Sequence, residues 1–267
     1  MSGERALNEL RGLLVYLGGA FGIAWLCWLP LVLGARQDGN AFWAALSVLG
    51  SFAPLVAAEC ATRRWPVETD RATPLAKLAR WRVGLLWCAI VLLGAAPIPL
   101  TALAIDRLLG GAPATWASAG EWLQLPRLLV TAVLFGPLGE EPGWRGYLLP
   151  LLERHVGLLR ASLVVGVIWA AWHLPLFLVQ NTIQYATPAL TYLAWVAGLS
   201  VLFAWVYAQS GRSVLLTVLL HAAVNTWWWV LPVLPQASGS ERPFVLSVVL
   251  TCLLAAAVAP AVRSIGR

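Results

Sequence analysis

Long runs of this chain contain no ionisable acidic or basic side chain. Residues 12 to 35, 39 to 58, 83 to 105, 213 to 240 and 243 to 262 hold no Asp, Glu, Lys or Arg. Each is long enough to cross a hydrocarbon core of about 30 Å as a helix. In lipid a segment must satisfy its own backbone polar groups, and a helix does so internally. The stretch 161 to 211 is too long for one crossing. Its polar break, Asn181-Thr182-Ile183-Gln184-Tyr185-Ala186-Thr187-Pro188, divides it into two, and Leu128 to Gly139 supplies one shorter run. The expected fold is all-α, a polytopic transmembrane helix bundle of eight spans. A soluble domain is excluded by 60% hydrophobic residues, 11% charged residues and 16 tryptophans.

Basic residues orient such a bundle, because short loops rich in Lys and Arg stay in the cytoplasm. With eight spans, both termini, the loop from Arg63 to Arg82, the segment from Glu140 to Arg160 and the turn at Arg212 share one side. Of the 18 basic residues, only Arg36, Arg107, Arg127 and Arg242 fall on the other. Both termini are therefore expected to be cytoplasmic, in a multi-pass protein of the plasma membrane. The net charge of +6 needs no partner beyond anionic lipid head groups. No loop is long enough to build the basic face that nucleic acid would require. The uncharged run before Arg36 exceeds a typical signal core and shows no small-residue cleavage site, so it is read as an anchor. Cys27, Cys60, Cys88 and Cys252 are scattered without metal-ligand spacing and are read as packed apolar side chains. The chain is expected to be a single membrane domain over 1–267, with a motif-bearing core at about 127–230.

Against this background a few polar groups stand out. Glu140-Glu141-Pro142-Gly143-Trp144-Arg145, His173, His221 and Asn225 lie in or beside apolar segments. Such groups are costly in a bilayer and usually face a bundle interior or a wet cavity. His221 and Asn225 are four apart, which stacks them on one side of a helix, and Glu141 and Arg145 share that spacing. If the helix persists through Pro142, Arg145 can neutralise Glu141 and leave Glu140 as the free carboxylate, with a kink expected at Pro142. At about 1.5 Å per residue, His173 lies roughly 20 Å from Arg160, His221 roughly 14 Å from Arg212 and Glu140 roughly 20 Å from Arg127. In a core of about 30 Å these depths overlap in one layer.

Three motifs carry a family resemblance: Glu140-Glu141-Pro142-Gly143-Trp144-Arg145-Gly146, Trp169-Ala170-Ala171-Trp172-His173-Leu174-Pro175 and His221-Ala222-Ala223-Val224-Asn225. In this order and setting the chain resembles the CAAX prenyl protease and bacteriocin-processing family of intramembrane glutamate proteases, also called the type II CAAX protease family. The resemblance covers about 130 to 225. The family commonly has Phe where this chain has Trp169. The resemblance implies that Glu140, as general base, and His173 hold and activate a water. It also implies that His221 and Asn225 donate hydrogen bonds to the oxyanion, with Glu141 and Arg145 supporting. The chemistry is sensible in itself, since a carboxylate in a low-dielectric cavity is a better base near neutral pH. Preorganised donors in a dry site stabilise a transition state strongly.

Each group also has a plainer reading. Glu140 and Glu141 could cap a helix at the surface, His173 could hold a carbonyl freed by Pro175, and His221 with Asn225 could be interhelical glue. No cofactor is expected, but a divalent metal on Glu140, His173 and His221 is an open alternative. So is a non-catalytic membrane immunity or partner-binding protein of the same fold. Ser51 and Ser200 lack the setting of a serine protease. The expected partner is a membrane-associated protein or peptide substrate, hydrolysed at a cavity open to the cytoplasmic side. One lysine against 17 arginines points to a GC-rich bacterial genome, where a prenylated substrate is not expected.

Overall fold

The computed structural model describes residues 2–34, 41–66, 72–80, 83–180 and 182–265. Arg36, Arg82 and Asn181 of the sequence reading lie outside them. Among the described residues the structure is all helical, with no strand. The α-helices are α1 (Ser2–Val32), α2 (Ala41–Ser51), α3 (Ala53–Arg64), α4 (Leu85–Leu93), α5 (Pro97–Leu108), α6 (Ala119–Leu123) and α7 (Leu125–Leu134). They continue as α8 (Pro137–Gly143), α9 (Leu149–Val156), α10 (Leu158–Trp172), α11 (Ala189–Gln209), α12 (Val214–Val230), α13 (Pro235–Ser238) and α14 (Arg242–Ile265).

Eight spans were expected; among the described residues six helices are long and apolar enough to cross a membrane: Gly3–Val32, Leu85–Leu108, Leu158–Leu178, Ala189–Gln209, Val214–Ser238 and Arg242–Ile265. The pair Phe42–Ser51 and Ala53–Arg64, bent by 42°, makes up to seven. The run at Leu128 to Gly139 is not one long helix. Its α7 has 10 residues, about 15 Å at 1.5 Å per residue, and stops before Gly136-Pro137. Gly136 is extended, with φ 178°, and α8 restarts at Pro137. A residue before proline is disfavoured in the helical region, and proline suits a first helical turn.

Close approach between helices is set by small residues, as is usual when lipid replaces water. A Cβ on Gly166 of α10 would stand 2.8 Å from the Ala197 Cα of α11, and one on Gly19 of α1 would meet the Ala57 Cβ of α3 at 2.9 Å. On α8 the same device positions the acidic pair. A Cβ on Gly139 would lie 2.5 Å from the Ser51 carbonyl oxygen, and one on Gly143 would lie 2.7 Å from the Pro54 carbonyl oxygen. These glycines share one helix face and press it against the α2–α3 bend. Glu140 and Glu141 follow Gly139 and turn toward the rest of the bundle.

Helix persists through Pro142, and the kink expected there takes the form of a π-helical turn over Trp144–Leu148. Leu149 N–H reaches back to the Trp144 carbonyl, the wider ring that defines such a turn and often accompanies function. Lys77, the sole lysine, is buried and donates from Nζ to the Gly146 carbonyl at 2.5 Å inside this turn. Between α11 and α12 the turn is held by Arg212, with a positive φ of 61°. Its guanidinium is bidentate to Glu153 at 2.7 and 2.8 Å, and this hydrogen bonding holds it above its ordinary pKa.

A buried aromatic core sets the end of α10. Trp172 donates its indole N–H to the Ala20 carbonyl of α1, and Trp25 of α1 donates to the Trp172 carbonyl, both at 2.9 Å. Two indoles thus pin the residue before His173. The three consecutive tryptophans of α12 divide three ways. Trp228 packs in the core on Trp195 with ring centroids 4.2 Å apart, Trp227 donates to the Leu92 carbonyl, and Trp229 is exposed. His155 is exposed and pairs with Glu9 of α1 at 3.1 Å. Cys27, Cys88 and Cys252 are partly buried, whereas Cys60 is exposed; all four are free.

Candidate active site

A cavity of about 420 Å³ opens between α7, α8, α10, α11 and α12. Glu140, His173, His221 and Asn225 all line it. Four side chains separated by up to 85 positions are thus brought to one space. Most of the wall around them is apolar, with Leu128, Phe135, Val196, Leu199 and Val224 among its residues.

Glu141 is fully buried, and its Oε1 accepts from both Arg145 Nη1 and His221 Nδ1 at 2.9 Å. The pairing of Glu141 with Arg145 is the i,i+4 contact expected if the helix survived Pro142. Arg145 has no exposed surface. Its guanidinium lies 4.6 Å from the ring centroids of both Trp169 and Phe203, and Nη2 takes Ser200 Oγ as a 3.4 Å partner. Ser200 in turn donates to the Ser162 carbonyl. It therefore serves the guanidinium and the α10–α11 contact.

The two imidazoles are held in the same way. His173 has Nδ1 2.9 Å from the Trp169 carbonyl, which can only accept. The helix itself leaves that carbonyl free, because His173 N–H turns to Ala170 instead. Nδ1 therefore carries the proton, and Nε2 of the neutral ring offers a lone pair. The structural role for His173 thus uses Nδ1 alone. His221 likewise gives its Nδ1 proton to Glu141. Its Nε2 then donates into the cavity only if the ring holds both protons, with Glu141 as counter-ion. A second nitrogen fixes the role of the first.

Glu140 is buried beside them, and its Oε2 accepts from Trp169 Nε1 at 2.7 Å. The sequence signal at Trp169 was aromaticity alone, so this donor was missed. The residue is central: its indole holds Glu140, its carbonyl holds His173, and its ring meets His221 edge-on at 5.1 Å. Trp169→Phe keeps a ring and removes the donor. A hydrogen bond to a charged group contributes about 1.5–3 kcal/mol. The variant is expected to lose that much stability in detergent thermal denaturation, and clearly less in a Glu140→Gln background. Equal losses in both backgrounds would show that packing alone is involved.

Among the described residues no three His, Cys, Asp or Glu side chains are grouped closely enough to share a metal ion. The donor set proposed for that alternative, Glu140, His173 and His221, shares a cavity without forming such a cluster. Asn225, one turn beyond His221, is half-buried on the cavity wall.

Comparison with known proteins meets this geometry in the same segment. Residues 122–227 match the family model described as type II CAAX prenyl endopeptidase Rce1-like. A curated relative, CAAX prenyl protease 2 of Methanococcus maripaludis, is 30% identical over 104 residues. That match covers 37% of this chain and 37% of the relative, so the chain spans little more than a third of the relative's length. The matched segment contains α7 to α11 and the part of α12 that bears His221 and Asn225.

Proposed function

We propose, from the premise that residues 122–227 carry the sequence of the type II CAAX endopeptidase family, that this protein is an intramembrane endopeptidase. It hydrolyses a peptide bond of a membrane-associated protein or peptide by a glutamate-type mechanism. One observation carries the reading. Glu140 offers a carboxylate and His173 a bare Nε2 to the same cavity, so a water there has two acceptors for its two protons and an oxygen lone pair left to attack.

In this mechanism Glu140 takes a proton from the water as its oxygen bonds to the scissile carbonyl carbon. His173 holds the second proton in place. The tetrahedral oxyanion is met by the Asn225 amide and by His221, which donates from Nε2 as the doubly protonated ring balanced by Glu141. Glu140 then returns its proton to the leaving amine as the C–N bond breaks. The products are a carboxylic acid and an amine, and Glu140 regains its starting state. Glu141 and Arg145 do not touch the reacting atoms; they hold His221 in place. We assign both termini and the cavity mouth to the cytoplasmic side, which with seven candidate spans requires α7 and α8 together to make the eighth crossing.

A binding protein of the same fold would have no use for a paired carboxylate and imidazole acceptor in an apolar wall. The test compares membranes of cells carrying the natural protein or Glu140→Gln, scoring newly formed protein C-termini. The proposal expects C-termini that arise only with the natural protein. Identical sets would end it. A prenylated CAAX peptide, the substrate class in the relative's name, is one defined probe for the purified protein.

A further inference from the structure

Tyr192 is buried on α11 and lines the same cavity, yet no part of the mechanism above uses it. It begins the span that follows the polar break, with its backbone N–H bonded to the Pro188 carbonyl. The ring is held on three sides. It meets His173 edge-on with centroids 5.6 Å apart, Phe177 at 5.3 Å and Trp195 at 5.8 Å. Gln184, also on the cavity wall, donates from Nε2 to the Tyr192 hydroxyl at 3.0 Å. That bond occupies one oxygen lone pair and leaves the hydroxyl proton unspent. Among the described residues no protein acceptor takes it.

A phenol that accepts from a fixed amide and keeps its own proton is an oriented donor. Packing against His173 places it beside the ring assigned to hold the water, on the wall of the cavity that Glu140 also lines. The site needs such a group. His221 gives its Nδ1 proton to Glu141 and donates to the oxyanion only while its ring carries a second, so the Asn225 amide is otherwise the one uncharged donor among the assigned residues.

We propose that Tyr192 is a further catalytic residue, donating its hydroxyl proton in a hydrogen bond to the scissile carbonyl oxygen as that oxygen gains charge, and that Gln184 is the positioning residue that aims it. No proton leaves the phenol; the bond strengthens in the tetrahedral intermediate and relaxes as the product forms. This inference rests on the endopeptidase reading.

The test uses purified full-length protein in liposomes and a peptide spanning a cleavage site found by the C-terminus comparison. Tyr192→Phe keeps the ring contacts with His173, Phe177 and Trp195 and removes only the hydroxyl. Loss of one oxyanion donor lowers kcat by about 10²–10³-fold, with KM little changed. Gln184→Leu is expected to lower kcat less than Tyr192→Phe and to add nothing when combined with it. A Tyr192→Phe enzyme with natural kcat, alongside an inactive Glu140→Gln enzyme, overturns this inference alone. No cleavage difference between natural protein and Glu140→Gln overturns the reading beneath it. A rise in KM with kcat unchanged assigns Tyr192 to ground-state binding and also overturns the proposal.

Discussion

Glu140→Gln is expected to abolish detectable cleavage while leaving the bundle as stable as before. The amide has the same shape and keeps a carbonyl oxygen for the Trp169 indole, so the 2.7 Å contact that anchors this side chain can persist. It also removes a carboxylate from an apolar wall, which favours the folded state. What disappears is the capacity to take a proton from water. General-base catalysis is worth about 10²–10⁴-fold, and in the proposed mechanism the same group also delivers the proton to the amine. Measured as kcat on a peptide spanning the natural cleavage site, the loss should reach at least that range, with an unchanged thermal transition. A variant that cleaves at a tenth of the natural rate would rule out Glu140 as the base.

The largest effect on stability is expected at Arg145. Its guanidinium is wholly enclosed, bound to Glu141 at 2.9 Å and flanked by Trp169 and Phe203 at 4.6 Å. Arg145→Met fills much of the volume but leaves Glu141 buried without its main counter-charge. Breaking a buried pair by removing one partner costs about 3–5 kcal/mol. The double variant Glu141→Gln/Arg145→Met should recover part of that loss, because the buried carboxylate and guanidinium are removed together and His221 still has a carbonyl oxygen to meet. Thermal or chemical denaturation of all four proteins gives the coupling directly. Additive losses would show that the two side chains contribute through packing and not as a pair.

How much of this was legible in the sequence depended on whether the physics was local. Charge-free runs longer than a bilayer thickness identify an all-helical membrane protein without further help. The i,i+4 relation of Glu141 to Arg145 and of His221 to Asn225 follows from helix geometry, and the structure shows the first as a hydrogen-bonded pair. Depth reckoning from flanking arginines placed Glu140, His173 and His221 in one layer, and the structure has them lining one cavity. The link from Glu141 to His221 was not legible, because it joins positions 80 apart and commits the Nδ1 side of the ring. Nor did periodicity reveal that Trp169 would serve through its N–H as well as its ring. The break at Gly136-Pro137 was not legible either: an apolar run reads as one helix by composition but is interrupted for backbone reasons.

The Lys77 side chain, folded into the π-helical turn beside the acidic motif, has a practical corollary. Its amine is the chain's only lysine amine and is shielded while that turn is intact. Acylating reagents should modify it at the pace at which the segment opens, so mass-spectrometric uptake at this one position becomes a clock for local breathing around the motif, readable without any substrate.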